Sequence, residues 1–179
     1  MDNSERTSSR ARLAGEDPEA LPLQSFISAA TVALAEMAST EVTIQEVYPA
    51  TLDVLWGDIS AVVAIRSSTD GLFVLSFPAA TAVAMAERVL ADAKPRMNES
   101  LVEDCVGEIA NVIAGQAKTL LTGTPYQLTY SLPMVVVGNP PEFHLERGWR
   151  CLVAAFRSDL GEFSLALAPG RHRSPEDLH

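Results

Sequence analysis

Glu108 and Asn111 stand three residues apart in the run Glu103-Asp-Cys-Val-Gly-Glu-Ile-Ala-Asn-Val-Ile-Ala-Gly-Gln-Ala-Lys118. On a helix that spacing puts both side chains on one face. A carboxylate can pair with a cation, and a carboxamide can both donate to and accept from a water molecule. Held rigidly side by side, the two can grip a partner and orient a reaction without a metal or nucleophile of their own.

A helical projection of this run separates two sides. Val102, Val106, Ile109, Ile113, Ala117 and Leu120 gather on one, which is predicted to face a sheet. Asp104, Glu108, Asn111, Gly115 and Lys118 gather on the other, so the pair is predicted to be exposed. Two glycines each cost about 1 kcal/mol relative to alanine inside a helix. Gly115 projects beside the pair and Gly107 borders the stripe; small residues there would let another surface come close to the helix backbone. The plainer alternative is a solvated face with incidental glycines, since exposed Glu and Asn are common. Asp104, Gly115 and Lys118 are candidate partner-binding residues on the same terms, docking groups or ordinary helix surface.

Other chemistry is sparse. His144, His172 and His179 are scattered, two of them in the tail, and predict no metal cluster. Cys105 and Cys151 sit in apolar patterns without a CxxC and read as buried free thiols of a cytoplasmic protein. There is no nucleophile elbow and no phosphate-cradling glycine loop of the usual spacing. Trp56 and Trp149 flank strands and read as packing residues. The formal charge of −10, from 23 acidic against 13 basic residues, argues against nucleic acid as a partner. It favours solubility and, more weakly, partners with a basic surface. No apolar stretch approaches the ~18 to 20 residues that span a bilayer, and the polar first ten residues lack a signal-peptide core. A cytoplasmic location is therefore expected.

The elements that must carry the pair follow from the pattern. Residues 1 to 20 are polar and aperiodic, a flexible lead; 21 to 169 form one domain; 170 to 179 read as a flexible tail. An Ala-rich amphipathic helix runs from Phe26 to about Ser39, after the Leu-Pro-Leu-Gln-Ser stretch. Val42 to Val54 alternates and is broken at Pro49, giving one or two short strands. Ile59 to Arg66 and Leu72 to Phe77 form a hairpin across Ser67, Ser68, Thr69, Asp70 and Gly71. Ala79 to Leu90 is a second helix after Pro78, and Asn98 to Leu121 is the third and longest, with Asn98, Glu99 and Ser100 as candidate caps. Tyr126 to Val137 alternates like a strand, with Pro133 indicating an edge or a bulge. Met134 to Val137 reads as core first and as a dimer edge second. Leu152 to Phe156 and Glu162 to Ala168 make a second hairpin. The two hairpins resemble each other, equating Gly71 with Gly161, Phe73 with Phe163 and Leu75 with Leu165. An α+β domain follows: an antiparallel sheet with helices packed on it, in two pseudo-symmetric helix-plus-strands halves.

At this point the residues carry a resemblance. Gly107-Glu108-x-x-Asn111-x-x-x-Gly115-x-Ala117-Lys118 resembles the signature helix of the CheC/CheX/FliY phosphatases of bacterial chemotaxis, and their CheX-like members most. The likeness extends over most of residues 24 to 168. Glu-x-x-Asn alone is a weak motif; the longer pattern in this setting is fairly specific. The resemblance implies hydrolysis of the phospho-aspartate on a CheY-like response regulator. Asn111 would orient the attacking water and Glu108 would pair with the regulator's active-site lysine. It implies no cofactor of the chain's own, Mg²⁺ being held by the phosphorylated partner, and a homodimer formed through sheet pairing. Some family members carry a second Glu-x-x-Asn on the first helix. The corresponding positions here are about Ser28 and Thr31, which supply neither group, so a single site is expected. A flagellar-switch protein of the same fold lacks the motif, which leaves a non-catalytic adaptor binding a regulator or a flagellar partner through this helix as the alternative. An unrelated α+β interaction domain is the third option.

Overall fold

Alternation of apolar residues in the two hairpins builds the sheet that carries everything else. The structure is a computed structural model that describes residues 20–52, 57–67, 70–93, 95–138 and 149–169. Helix α1 (Ala20–Ala38) is followed by β1 (Val42–Thr51), β2 (Ile59–Arg66), β3 (Asp70–Phe77), α2 (Ala79–Val89) and α3 (Glu99–Leu121). Then come β4 (Thr129–Tyr130), β5 (Met134–Val137), β6 (Arg150–Ser158) and β7 (Gly161–Pro169). All strand pairs are antiparallel, in the order β1-β6-β7-β3-β2-β4, with β5 also pairing β2.

Helix α1 starts earlier than its apolar periodicity predicts. Pro22 lies in its first turn, where a helix needs no N–H from that residue. Strand β1 is continuous through Pro49 because it is an edge strand, bonded to β6 alone. The terminal segments assigned as flexible, with Trp56 and the three histidines, lie outside the described residues, apart from Ala20. Trp149 packs as expected: it lies against a small apolar cluster, and its indole Nε1 donates to the Pro169 carbonyl (2.7 Å).

The hairpin likeness is a real symmetry of the fold. Strands β3 and β7 pair at the centre of the sheet with Leu75 opposite Leu165, the two residues the repeat equates. Their neighbours reciprocate: Val74 faces Ala166 and Ser76 faces Ser164. The outer strands are exchanged, β1 pairing the second hairpin and β4–β5 the first.

The three helices of the described residues lie on one face of this sheet and share the main core. Phe26, Phe73, Phe77 and Phe156 are fully buried there, and the Phe156 and Phe163 rings stack 4.9 Å apart. Val62, Val74, Val153 and Ala166 point to the opposite face and form a smaller cluster. Both cysteines are buried. Among the described residues no helix is long and apolar enough to cross a membrane.

Candidate functional site

Helix α3 is fixed at its start by Asn98, whose Oδ1 accepts from the Leu101 N–H (3.0 Å). Its inward side holds Val102, Val106, Ile109, Ile113 and Ala117 as projected, together with Cys105, Ala110, Ala114 and Leu121. Leu120 departs from the projection: it is 54% exposed. A projection gives direction around the helix but not how far the covering layer extends. Leu120 lies one turn beyond Gln116, which donates from Nε2 to Glu36 Oε2 of α1 (3.3 Å).

With the inward side anchored, Glu108 is exposed and Asn111 partly so. Neither side chain has a hydrogen bond or ion pair to any described residue, which leaves both available to a partner. One turn before Glu108, burial and then the Glu108 charge push the Cys105 thiol up to about 11. It is therefore a neutral packing group at physiological pH and no nucleophile.

The opposite wall of the site comes from the sheet edge. Ile65 pairs with Tyr130 and Val62 with Met134, so two residues of β2, Val63 and Ala64, face three, Ser131, Leu132 and Pro133. This is a bulge, and Ser131 pins it. Its N–H donates to the Ala64 carbonyl (2.9 Å), and its Oγ accepts from the Ala64 N–H (3.1 Å) in place of a backbone carbonyl. The bulge lifts Leu132 and Pro133 beside α3. Between them lies an open depression of about 330 Å³, with Glu103, Asp104, Gly107, Glu108 and Asn111 on the helix side and Leu132, Pro133 and Val135 on the strand side.

The glycines acquire a different meaning from the one their spacing carried. A Cβ on Gly107 would lie 3.3 Å from Val135 Cγ2, and one on Gly115 would lie 3.1 Å from the Tyr130 hydroxyl. The surface that approaches the helix backbone there is the chain's own β4–β5 edge. Asp104 joins Glu108 and Asn111 at the depression, whereas Gly115 and Lys118 continue the same helix face without lining it. Sequence reasoning missed Glu103, Leu132, Pro133 and Val135 as members of the site. The signal was the Ser-Leu-Pro break in an alternating strand, where Pro133 indicated an edge or a bulge but not a wall. On α1, Ser28 and Thr31 are exposed, and the Thr31 hydroxyl donates to the Ile27 carbonyl (3.0 Å), so that helix offers no second acid–amide pair.

The profile of the family described as chemotaxis phosphatase CheX matches residues 59–157, just over half of the chain, from the first hairpin through α2, the signature helix and the bulge to Arg157 in β6. The chain belongs to the CheX family. No curated protein matches it. Among solved structures, CheX from Desulfovibrio desulfuricans superposes with a TM-score of 0.73 at 26% identity, covering 83% of this CheX-family chain and 98% of that one. A chain of the CheX–CheY–BeF3–Mg²⁺ complex from Borrelia burgdorferi superposes with a TM-score of 0.62 at 19% identity, covering 83% and 97%. A chain of the FliM–SpeE complex from H. pylori does so at 0.60 and 10% identity, covering 87% and 90%. These last two likenesses show the shared fold alone.

Proposed function

We propose that this CheX-family chain hydrolyses the phospho-aspartate of a CheY-like response regulator. Asn111 orients the attacking water and Glu108 docks the regulator's active-site lysine. The observation that carries the reading is a carboxylate and a carboxamide without a partner among the described residues, one turn apart on a core-anchored helix, at the mouth of an open depression in a chemotaxis phosphatase fold. Phosphoryl transfer asks a protein mainly for positioning and charge compensation. A carboxamide on a rigid helix can hold a water by accepting one hydrogen bond and donating another. A carboxylate with no cation of its own can receive the lysine. Mg²⁺ would arrive with the regulator, and no covalent intermediate forms on this chain. The CheX–CheY complex of B. burgdorferi supports the choice of partner. The reading places the chain in the cytoplasm, with its regulator.

The test is decay of phosphoryl label from candidate regulators. Wild type should accelerate it, and Asn111→Ala should lower the saturated rate by about a hundredfold, the scale for losing one preorganised polar group. No acceleration with any cognate regulator, or full activity in Asn111→Ala, would sink the catalytic reading. The likeness to a chain of the FliM–SpeE complex favours one rival, a non-catalytic adaptor docking through the same helix. That rival requires stable capture of the phosphorylated regulator with its lifetime unchanged.

A further inference from the structure

The two walls of the depression differ in kind. The helix side carries the carboxylates of Glu103, Asp104 and Glu108, and among the described residues no lysine or arginine lines the cavity. The strand side is apolar, and Leu132 at its crest is 83% exposed. A single exposed leucine is unremarkable on most surfaces. This one is held in place. The Ser131 bonds to Ala64 fix the bulge below it, and Pro133 after it confines its backbone to extended conformations. A solvated apolar side chain on an already fixed backbone spares a partner the cost of ordering that backbone when it is covered.

We infer that Leu132, backed by Pro133, is a docking lip that sets affinity for the response regulator. The inference rests on the phosphatase reading and adds the recognition element to it. The occupant is a receiver surface on which a cationic group stands beside an exposed apolar side chain. The cation meets Glu108 and the neighbouring carboxylates while the apolar group covers Leu132. The lip lines the same depression as Asn111, so a regulator presenting its phospho-aspartate to Asn111 brings its surface against it. Affinity and chemistry are thus divided between the two walls.

Regulator affinity by fluorescence anisotropy and saturated turnover by label decay separate these roles. Leu132→Ser should weaken affinity about tenfold, the scale of one leucine side chain partly removed from water, and leave the saturated rate within twofold of wild type. Leu132→Met, which keeps the apolar volume, should restore affinity to within about threefold. Unchanged affinity in Leu132→Ser, or a fall in the saturated rate instead, would overturn the inference. So would a change in the mass of the free protein by light scattering, since the lip would then serve a second copy of the chain. A wild type that binds regulators without accelerating decay ends the phosphatase reading, while the affinity of Leu132→Ser still decides the lip.

Discussion

At the scale of single residues, the site depends on groups left without partners among the described residues. Glu108 and Asn111 stand on the solvent side of α3, so their removal should cost function and not folding. Glu108→Ala should raise the regulator concentration needed for half-maximal rate by about tenfold while thermal unfolding shifts by no more than about 2 °C. If Glu108→Ala unfolds the protein, the residue is structural. The neighbouring thiol gives an independent reading of the same charge. Burial first and Glu108 second raise Cys105 to about 11 in the folded state. A thiol whose folded pKa is raised holds its proton more tightly than in the unfolded chain. Its contribution to stability is complete below the ordinary thiol pKa near 9 and is lost as pH rises from there towards 11. Urea unfolding between pH 8 and pH 11 should therefore show stability falling with pH, less steeply in Cys105→Ala. In a Cys151→Ala background, Glu108→Gln should also lower the folded pKa of Cys105 in a thiolate-absorbance titration, and an unchanged pKa would remove the charge coupling.

At the scale of elements, an edge strand laid along α3 builds the cleft. Glycines at 107 and 115 admit Val135 and the Tyr130 hydroxyl, so close approach offsets part of their helix-propensity cost. A double-mutant cycle tests this. In a Tyr130→Phe background Gly115→Ala loses its nearest steric neighbour and should stabilise the protein by about 0.5 to 1 kcal/mol. In the wild-type background the gain should be smaller, because the phenol must move by a few tenths of an ångström. Equal effects in both backgrounds would show that Tyr130 does not rest on that turn. The bulge depends on a side chain standing in for a strand, which explains how a proline-containing segment can close an edge without losing its bond to β2.

At the scale of the whole molecule, pseudo-two-fold symmetry sets the frame, and a small polar junction ties its parts. Asp159 in the β6–β7 turn accepts from the Thr40 hydroxyl, just after α1, and from Arg88 at the end of α2 (3.0 Å). The Thr40 hydrogen bond first and Arg88 second hold its carboxyl below the usual carboxylate range. Because the folded pKa is depressed, this contribution is present above the unfolded value near 4 and is lost as pH falls through the folded one. Asp159→Asn should flatten the acid limb of the stability profile below about pH 4.5 with little change in its shape above pH 6. An unaltered acid limb would mean that the junction contributes nothing. Gly161 completes the turn at φ 131°, a backbone value side chains rarely adopt, with Thr81 of α2 packed against it.

Much of this was legible in the chain because its causes are local. The helical period placed Glu108 and Asn111 opposite Val106, Ile109 and Ile113, since that depends only on turns of one helix. Period-two alternation marked the first hairpin, although Asp70 and Gly71, read as part of its turn, pair with Arg66 and Ile65 as the start of β3. Its likeness to the second hairpin equated Leu75 with Leu165, which the structure sets opposite each other. Tertiary structure alone decided what those local signals could not carry. Where α1 stops covering α3 left Leu120 in solvent, and what approaches Gly115 proved to be Tyr130 of the same chain. The pairing of β4–β5 with β2, across more than sixty residues of sequence, turned a Ser-Leu-Pro break into the wall of a cleft. A residue's own face is set by its neighbours along the chain, but what stands opposite it is set by contacts that no short window of sequence contains.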